Sequence, residues 1–443
     1  MQNTKQIHAY QTYTISYLAL LMKFIYDLSI HIYNGLIALA KVGGNSKATL
    51  ISEGRNTTFK KINAFKKMSN DPVALFHCAS LGEFEQARPV IEAWKQKYPE
   101  YKIVVSFFSP SGYEVRKHYA QADLIVYLPA DTKKEAQAFI HKLSPAIVFI
   151  VKYEFWLNLL DAITDKKIPL YLISGVFRKK LLFFRMGGGF MRKRLTAFSH
   201  FFLQDANSGE LLTSIGFKNW SVTGDTRFDR VQQTALSTKK LVEIEIFKQQ
   251  KPLLVIGSGW EADMNILIPF INAFNKDLKI IFAPHEIHSK EIAEVVNRIT
   301  KKSIQFSTFQ NEHSIDADVL VIDNIGMLSS IYAYADYAYV GGAFGSGLHN
   351  ILEPAVFGCP IFFGPKIKKF PEAAWLMKLG YAKSINSTET FSNEFNTIYE
   401  STELQRSIRS GLKSTMLQAC GATDHIMNTL SKESTINPNT PTR

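Results

Sequence analysis

The sequence contains little cysteine: Cys78, Cys359 and Cys420 are the only three among 443 residues. They lie far apart, without a CxxC pair and without histidines at metal-ligand spacing. This distribution indicates neither a disulfide framework nor a zinc site. We therefore expect three buried thiols in a reducing compartment.

Acidic residues are scarce relative to basic ones. The chain has 39 Asp and Glu against 51 Lys and Arg, which gives a formal net charge of +12. Such an excess indicates an anionic partner, and nucleic acid, phospholipid or a phosphorylated substrate would each satisfy it. Hydrophobic residues at 46% and charged residues at 20% argue against wholesale disorder and against a polytopic membrane protein.

The amino terminus lacks an uninterrupted apolar run. Its apolar stretch, residues 13–40, is broken by Lys23, Asp27 and His31, and the part that starts at Phe24 is shorter than the roughly 20 residues that cross a bilayer. It also lacks the cleavage site of a signal peptide. We interpret residues 1–45 as a membrane-anchor helix, tilted across the membrane or lying in its interface, and the basic residues that follow favour a cytoplasmic body. The alternative is an amphipathic helix packed on the protein itself.

The chain lacks internal repeats and long low-complexity tracts, and its length exceeds what one hydrophobic core normally serves. From Val73 onward, short apolar runs alternate with polar helical stretches, which predicts βαβ units and a parallel sheet. A second alternation begins at Leu253. The predicted fold class is α/β, with a ligand cleft between two doubly wound domains. These are residues 46–230 and 251–430, with a linker over 231–250 and a polar tail over 431–443.

Two carboxylates that follow predicted strands are candidates for acid–base chemistry. Glu83 lies in the turn 80–83, which opens a predicted helix whose amides favour an ionised acid. Glu154 lies among aromatic residues, where an acid is costly without a function or a partner. The structural alternatives stay open, since Glu83 can be a first-turn helix residue and Lys152 can be a simple partner of Glu154.

Two further segments of the first half predict contacts with anionic groups. The turn 109–112 offers hydroxyls and free amides to a polar or phosphorylated group, although it is equally ordinary capping chemistry. Between Arg178 and Arg194 the chain has basic residues and no acidic one, interleaved with Leu181, Leu182, Phe183, Phe184 and Phe190. This mixture favours an anionic membrane surface or a phosphorylated lipid, with a solvated basic helix as the alternative. The basic residues are Arg178, Lys179, Lys180, Arg185, Arg192, Lys193 and Arg194.

Two glycine-rich turns of the second half indicate a phosphate site. The turn 257–261 follows a predicted strand, although it has neither GxGxxG nor Walker spacing. Four glycines among residues 341–347 precede a predicted helix that starts with Asn350 and carries Glu353. Such a loop can clamp a phosphate and a ribose, and a purely structural loop is the alternative.

Taken in order, these segments resemble the motifs of the 3-deoxy-D-manno-octulosonic acid (Kdo) transferase family, in pieces over residues 50–425. The family's Ser-x-Gly-Glu, Thr-Pro-Thr-Gly-like and Glu-x-Trp-x-Asn segments are matched at 80–83, 109–112 and 154–158. Its Gly-Asn-x-Lys-Phe-Asp motif is matched at 224–229, and its His-Asn-x-x-Glu-Pro-Ala string at 349–355.

The resemblance implies two Rossmann-like domains in the GT-B arrangement. It implies transfer of Kdo from CMP-Kdo to a lipid A precursor at the inner membrane, with inversion and no cofactor. Glu83 would be the catalytic base, and Glu154 and Arg227 would stabilise the transition state. The acceptor or membrane candidates are Ser80, Gly82, Ser111, Gly112, Arg178, Lys179, Arg192, Lys193 and Arg194. The implied donor residues are Ser258, Pro284, His285, Ile325, Gly326, Met327, Asn350, Ile351, Leu352 and Glu353.

The chain departs from the family on the donor side. Pro284-His285-Glu286 replaces Pro-Arg-His, Ile325-Gly326-Met327 replaces Met-Gly-Glu, and Arg227 replaces a lysine. No DxD-like carboxylate pair stands where a metal would be needed, so we expect a metal-independent reaction.

Two rival functions remain. One is another nucleotide-sugar enzyme, either a lipid-linked N-acetylglucosaminyl transferase or a UDP-sugar epimerase. The other is a basic membrane-docked scaffold or nucleic-acid binder. The second rival leaves the carboxylates and the glycine loop without purpose, and we therefore expect no nucleic-acid partner.

Overall fold

The computed structural model describes residues 2–432 except 186, 313, 314 and 346, with side chains from Leu20 onward. Its contacts divide the chain into two compact units. The first is built from residues up to Asp229 and from the segment that begins at Gly421, and the second is Arg230–Cys420.

The first unit contains a parallel sheet of seven strands. They are β1 (Val73–Cys78), β2 (Lys102–Phe107), β3 (Leu124–Tyr127), β4 (Ile147–Val151), β5 (Leu170–Gly175), β6 (His200–Leu203) and β7 (Trp220–Val222). Their order is β3-β2-β1-β4-β5-β6-β7. The central strands β1 and β4 are fully buried and apolar except for His77, because both faces of a parallel sheet are covered. The predicted parallel sheet is confirmed, with β7 as an addition.

Helices cover both faces of this sheet. Phe139 and Leu160 pack on one face, and Phe84 and Trp94 pack on the other. Because β2, β1 and β4 are neighbours, the turns that follow them leave the same edge of the sheet side by side. The helices are α1 (Gln2–Val42), α2 (Ser46–Met68), α3 (Leu81–Lys97), α4 (Pro110–Arg116), α5 (Lys133–Leu143), α6 (Leu157–Asp165), α7 (Gly189–Leu195), α8 (Ala206–Ser214) and α9 (Thr226–Leu236).

The second unit contains another parallel sheet of seven strands. They are β8 (Leu253–Gly259), β9 (Lys279–Pro284), β10 (Ser303–Gln305), β11 (Val319–Val321), β12 (Tyr337–Val340), β13 (Ile361–Phe363) and β14 (Ala382–Ser384). Their order is β10-β11-β9-β8-β12-β13-β14, so the turns after β11, β9, β8 and β12 are neighbours. Cys359, before β13, is buried like Cys78, whereas Cys420 is partly exposed.

The helices of the second unit begin earlier than the sequence indicated. The segment expected to be a linker contains α10 (Val242–Lys248), and its Ile244 and Phe247 are buried in the core of this unit. The other helices are α11 (Glu261–Ala273), α12 (Ser289–Arg298), α13 (Phe306–Glu312), α14 (Leu328–Ile331), α15 (Leu352–Val356), α16 (Pro371–Lys378), α17 (Thr388–Tyr399) and α18 (Thr402–Gln418).

The last helix, α19 (Ala422–Lys432), belongs to the first unit, although the sequence assigned residues up to 430 to the second domain. Its Ile426 and Leu430 share a core cluster with Phe84 of α3. Its first turn is held by the Asp229 carboxylate, which accepts from the backbone N–H of Gly421 (2.6 Å) and from that of Thr423 (2.7 Å).

The amino-terminal helix packs on the first unit through one face and exposes an apolar stripe on another. Ile30 is buried, and the Tyr33 ring stacks on Phe108 at a centroid distance of 6.1 Å. Among the described residues, no helix is both long enough and apolar enough to cross a membrane. The spanning form of the predicted anchor is therefore not supported. The exposed apolar residues of α1 include Leu21, Phe24, Ile25, Leu28, Ile32, Leu36 and Leu39.

Candidate active site

Glu83 lies in the first turn of α3, directly after the carboxyl end of β1, and only 8% of it is exposed. Ser80 precedes the helix, but its side chain makes no capping hydrogen bond to the helix backbone. The Ser80 hydroxyl donates instead to the Glu83 carboxylate. The Ser80 side chain therefore holds the Glu83 carboxylate in a fixed orientation and does not cap the helix.

Glu154 lies in the turn between β4 and α6. Burial and the negative charge of Glu83 raise the pKa of Glu154 to about 7. Lys152, two residues before Glu154, has a left-handed backbone with a φ of 71°, which is uncommon for a residue with a side chain and often marks a functional turn. The structure thus brings Glu83 and Glu154 close enough for Glu83 to help raise the pKa of Glu154 to about 7.

The turn 109–112 lies against the turn that carries Glu83. The Ser109 N–H donates to the Ala79 carbonyl (2.8 Å), and the Ser109 hydroxyl accepts from the Ser111 N–H (3.3 Å). A Cβ on Gly112 would lie 2.3 Å from the Phe107 ring, so only glycine allows this approach. Ser109 therefore caps α4, as the structural alternative predicted. Ser111 and Gly112 lie in the turn that packs against the turn of Glu83, the candidate base. Gly82, by contrast, has only the Ser80 hydroxyl near its Cβ direction, at 3.8 Å.

Arg227 is held by a neighbouring acid. Its Nε and one terminal nitrogen donate to the Asp225 carboxylate at 2.9 and 2.7 Å. The other Asp225 oxygen accepts from the side-chain amide of Gln86 (3.3 Å), one turn along α3 from Glu83. The guanidinium therefore has a fixed place near the α3 turn, where it forms an ion pair with the Asp225 carboxylate.

The basic segment is divided between internal and exposed residues. Arg192 donates to the carbonyls of Phe183 and Arg185, and Arg194 binds the Asp161 carboxylate and lies 4.2 Å from the centre of the Phe190 ring. These two arginines therefore stabilise the segment itself. The phenylalanines of this segment do not face solvent, because Phe183 and Phe190 are buried and Phe184 packs against the same core cluster. Side chains that stay exposed include those of Arg178, Lys179, Lys193 and Leu182.

The donor candidates that follow β8 and β9 contact each other in the second unit. Ser258 has a left-handed φ of 52°, and the His285 N–H donates to the Gly259 carbonyl (3.1 Å). The Trp260 ring stacks on His285 with a centroid distance of 4.1 Å, and its Nε1–H donates to His349 Nε2 (3.1 Å). The turn after β12 is thereby joined to the turns after β8 and β9.

The turns after β11 and β12 meet at Glu353. Its carboxylate accepts from the Asn350 side-chain amide (3.0 Å) and from the Ser329 hydroxyl (2.8 Å). Ser329 belongs to α14, which begins directly after the donor candidates 325–327. Gly326 there has a φ of 95°, and the adjacent Ile325 is almost fully exposed. The candidates from all four turns are therefore linked within one unit.

The helix expected to start at Asn350 begins at Leu352 and spans only five residues. Ile351 and Leu352 have buried side chains, so these two donor candidates can offer only backbone groups to a ligand. The glycine loop before them folds back on itself, since the Gly347 N–H donates to the Gly342 carbonyl (3.1 Å). Both glycines have positive φ, at 146° and 97°. Residues with a side chain rarely adopt such φ values, so the backbone path of the loop requires glycine at both positions.

Asp263 is a residue of this site that the sequence did not single out. It is fully buried, and one carboxylate oxygen accepts from the N–H groups of Trp260 (3.0 Å) and Gly342 (2.9 Å). The other oxygen accepts from the Tyr339 hydroxyl (2.8 Å). Asp263 thus holds two ligand turns at once. Its sequence signal was an acid in the first turn of a helix that follows a glycine turn.

A cavity of about 820 Å³ opens beside the stacked rings, and Trp260, Pro284 and His285 line it together with residues of α12. The other donor candidates do not line this cavity. Within the described ranges, no group of three or more His, Cys, Asp or Glu side chains could hold a metal ion.

Comparisons with known proteins agree with the motif pattern. Residues 55–230 match the family model described as 3-deoxy-D-manno-octulosonic-acid transferase (kdotransferase). A 3-deoxy-D-manno-octulosonic acid transferase of Chlamydia muridarum is 28% identical over 320 residues, which cover 69% of this chain and 73% of that protein. The candidate catalytic and acceptor residues from Ser80 to Arg227 all lie inside the matched family segment.

Solved structures show the fold. The UDP-GlcNAc 2-epimerase of Neisseria meningitidis superposes with a TM-score of 0.56 at 15% identity, over 82% of this chain and all of that one. MurG of Acinetobacter baumannii gives a TM-score of 0.52 at 14% identity, also over 82% of this chain and all of that one. On the family match and the likeness to the chlamydial enzyme, residues 55–230 resemble the Kdo transferase family, and the wider chain is similar to a member of it.

Proposed function

We propose that this protein transfers Kdo from CMP-Kdo to a lipid A precursor. The observation that carries the proposal is the pair of carboxylates, Glu83 and Glu154, on two neighbouring turns inside the segment that matches the family. An arrangement in which one acid raises the pKa of the other is typical of sites that accept and hold protons.

The two carboxylates suit different parts of a displacement reaction. Glu83 would accept the proton of the acceptor hydroxyl as that oxygen attacks the anomeric carbon of Kdo. Glu154, with a pKa of about 7, would donate a hydrogen bond to an oxygen that gains negative charge. A single displacement of CMP would invert the anomeric centre, and no metal or cofactor is included in this scheme.

The second unit would hold CMP-Kdo in the GT-B manner. Ser258, His285, Asn350 and Glu353 lie on turns that Asp263 and Trp260 join together. Arg227, although engaged with Asp225, is the candidate cation for the charge of the departing phosphate.

We also propose that the protein docks on the anionic cytoplasmic face of the inner membrane. The apolar stripe of α1 supports this, because a row of exposed leucine, isoleucine and phenylalanine side chains is costly in water. Helix α7, which contacts α1, contributes the exposed Lys193. Vesicle flotation of a variant with Phe24→Asp and Leu28→Asp tests this proposal. Flotation equal to the unaltered protein on anionic vesicles would contradict it.

One assay tests the transfer itself. The protein is incubated with CMP-Kdo and a tetra-acylated lipid A precursor, and the products are weighed by mass spectrometry. The proposal predicts added mass in whole Kdo units, and it predicts that CMP competes with the donor and UDP does not. Protection by UDP, with no Kdo added, would favour the UDP-sugar enzymes that share this fold.

A further inference from the structure

Asp131 joins the amino-terminal helix to the start of α6. It is 5% exposed, and its carboxylate accepts from the N–H groups of Asn158 (3.0 Å) and Leu159 (2.8 Å). These are among the N–H groups at the start of a helix that have no partner within the helix. The same carboxylate accepts from the Tyr26 hydroxyl of α1 (2.6 Å), and the Leu157 N–H donates to that hydroxyl (3.3 Å).

Asn158 forms a second link to α1. Its side-chain amide nitrogen donates to Asp27 (2.9 Å) and to the Asp131 carbonyl (2.6 Å). Its side-chain oxygen accepts from Lys23, which also pairs with Asp27 at 2.7 Å. Every polar group of the Asn158 side chain is therefore used to attach α6 to α1 and to the residue that caps it.

The attached helix start lies three residues beyond Glu154. Between the end of β4 and the start of α6 the backbone belongs to neither strand nor helix, so its course is set by those two ends. The β4 end is fixed in the sheet, whereas the α6 end is fixed by Asp131 and by two residues of α1. A change in these polar contacts with Tyr26 and Asp27 would therefore shift the position of Glu154.

We infer that α1 is a positioning element for the Glu154 turn and that Tyr26 and Asp27 are positioning residues for transfer. The inference rests on the role proposed above for Glu154. The helix that presents the apolar stripe to a membrane then also holds the turn that carries a reacting carboxylate. Displacing a reacting group by even about 1 Å can lower a rate about a hundredfold. Loss of these remote contacts is therefore expected to lower the transfer rate.

The test uses Tyr26→Phe in the full-length protein, with Ile30→Ala as the matched control. Tyr26→Phe removes one hydroxyl and leaves the ring, whereas Ile30→Ala loosens α1 through packing without touching the polar contacts. We expect Tyr26→Phe to lower kcat about tenfold with an unchanged KM for CMP-Kdo, and Ile30→Ala to keep kcat although it lowers Tm. Losses of kcat in proportion to the losses of Tm in both variants would overturn the inference, because the role would then be structural only.

Amide hydrogen exchange gives a readout that does not depend on catalysis. In Tyr26→Phe we expect faster exchange at Leu157 and Asn158, with unchanged exchange in β4. Unchanged exchange at both amides would overturn the inference even if transfer by the unaltered protein is demonstrated. If the unaltered protein fails to transfer Kdo, the proposed function fails by itself, and the exchange result still decides whether α1 holds the turn.

Discussion

The central residues are two acids that the fold treats differently. Glu83 receives a hydrogen bond from Ser80, and its charge contributes to the raised pKa of Glu154. The adjacent Glu85 serves as a natural reference, because it pairs with Arg116 at 2.7 Å on the surface of the same helix. The two glutamates are the same residue type, but their positions in α3 give them different surroundings. We therefore expect only Glu83 to take part in the reaction.

Glu154→Gln should stabilise the protein at alkaline pH. The pKa of Glu154 is raised from 4.5 to about 7, so the unfolded chain releases this proton first and stability is lost between those two values as pH rises. An uncharged glutamine avoids that loss. We expect a gain in the free energy of unfolding of roughly 1 to 3 kcal/mol at pH 8 and almost none at pH 4.

Urea unfolding at both pH values measures this gain, with Glu85→Gln as the control. Equal differences between Glu154→Gln and the unaltered protein at pH 4 and pH 8 would show that burial does not shift the pKa of Glu154.

At the scale of elements, the place of the last helix, α19, depends on a contact between residues that are far apart in the sequence. Asp229, at 9% exposure, binds the first turn of α19 through Gly421 and Thr423, and this returns the chain to the first unit. Asp229→Asn replaces one of the two accepting oxygens by an NH₂ group, which cannot accept a hydrogen bond from the Gly421 or Thr423 N–H.

We expect Asp229→Asn to lower the free energy of unfolding by roughly 1 to 3 kcal/mol. The exposed Asp424 lies on the same helix, and Asp424→Asn removes a charge without a buried contact, so it should have a much smaller effect. Urea unfolding of both variants checks this, and equal losses would mean that Asp229 does not hold α19.

The elements that the sequence predicted well are those with strong local signals. The central strands are apolar runs of four to seven residues, and the predicted strands from Val73 to Leu203 all form. The places where the prediction failed depend on distant contacts. Local composition made residues 231–250 resemble a linker, although Ile244 and Phe247 enter a core, and nothing local assigns α19 to the first unit.

The candidate site shows the same division. The motif order identified the turns that carry Glu83 and Glu154, because these turns directly follow strands, and it identified the glycine loop that follows β12. The partners of each side chain were not predictable, since Asn158 binds α1 and Arg194 binds Asp161 through contacts between distant segments. A polar residue in a turn that matches a motif can therefore serve the fold, and its hydrogen bonds show which role it has.

At the scale of the whole molecule, each unit carries a separate part of the proposed chemistry. The first unit holds the carboxylate pair, and the second holds the donor candidates around Trp260 and Glu353. We therefore predict that nucleotide binding and proton transfer can be separated by substitution. A net charge of +12 agrees with both a nucleotide and a phosphorylated lipid as ligands.

The most direct measurement is the transfer rate and the CMP affinity of Glu83→Gln, determined on one preparation. The substitution keeps size and polarity and removes the proton acceptor, so kcat should fall about a hundred- to ten-thousandfold. CMP affinity measured by calorimetry should be unchanged, and Glu85→Gln should retain most of the transfer rate. Near-normal turnover of Glu83→Gln at saturating acceptor would contradict the account, because Glu83 would then be a helix-start residue and not the base.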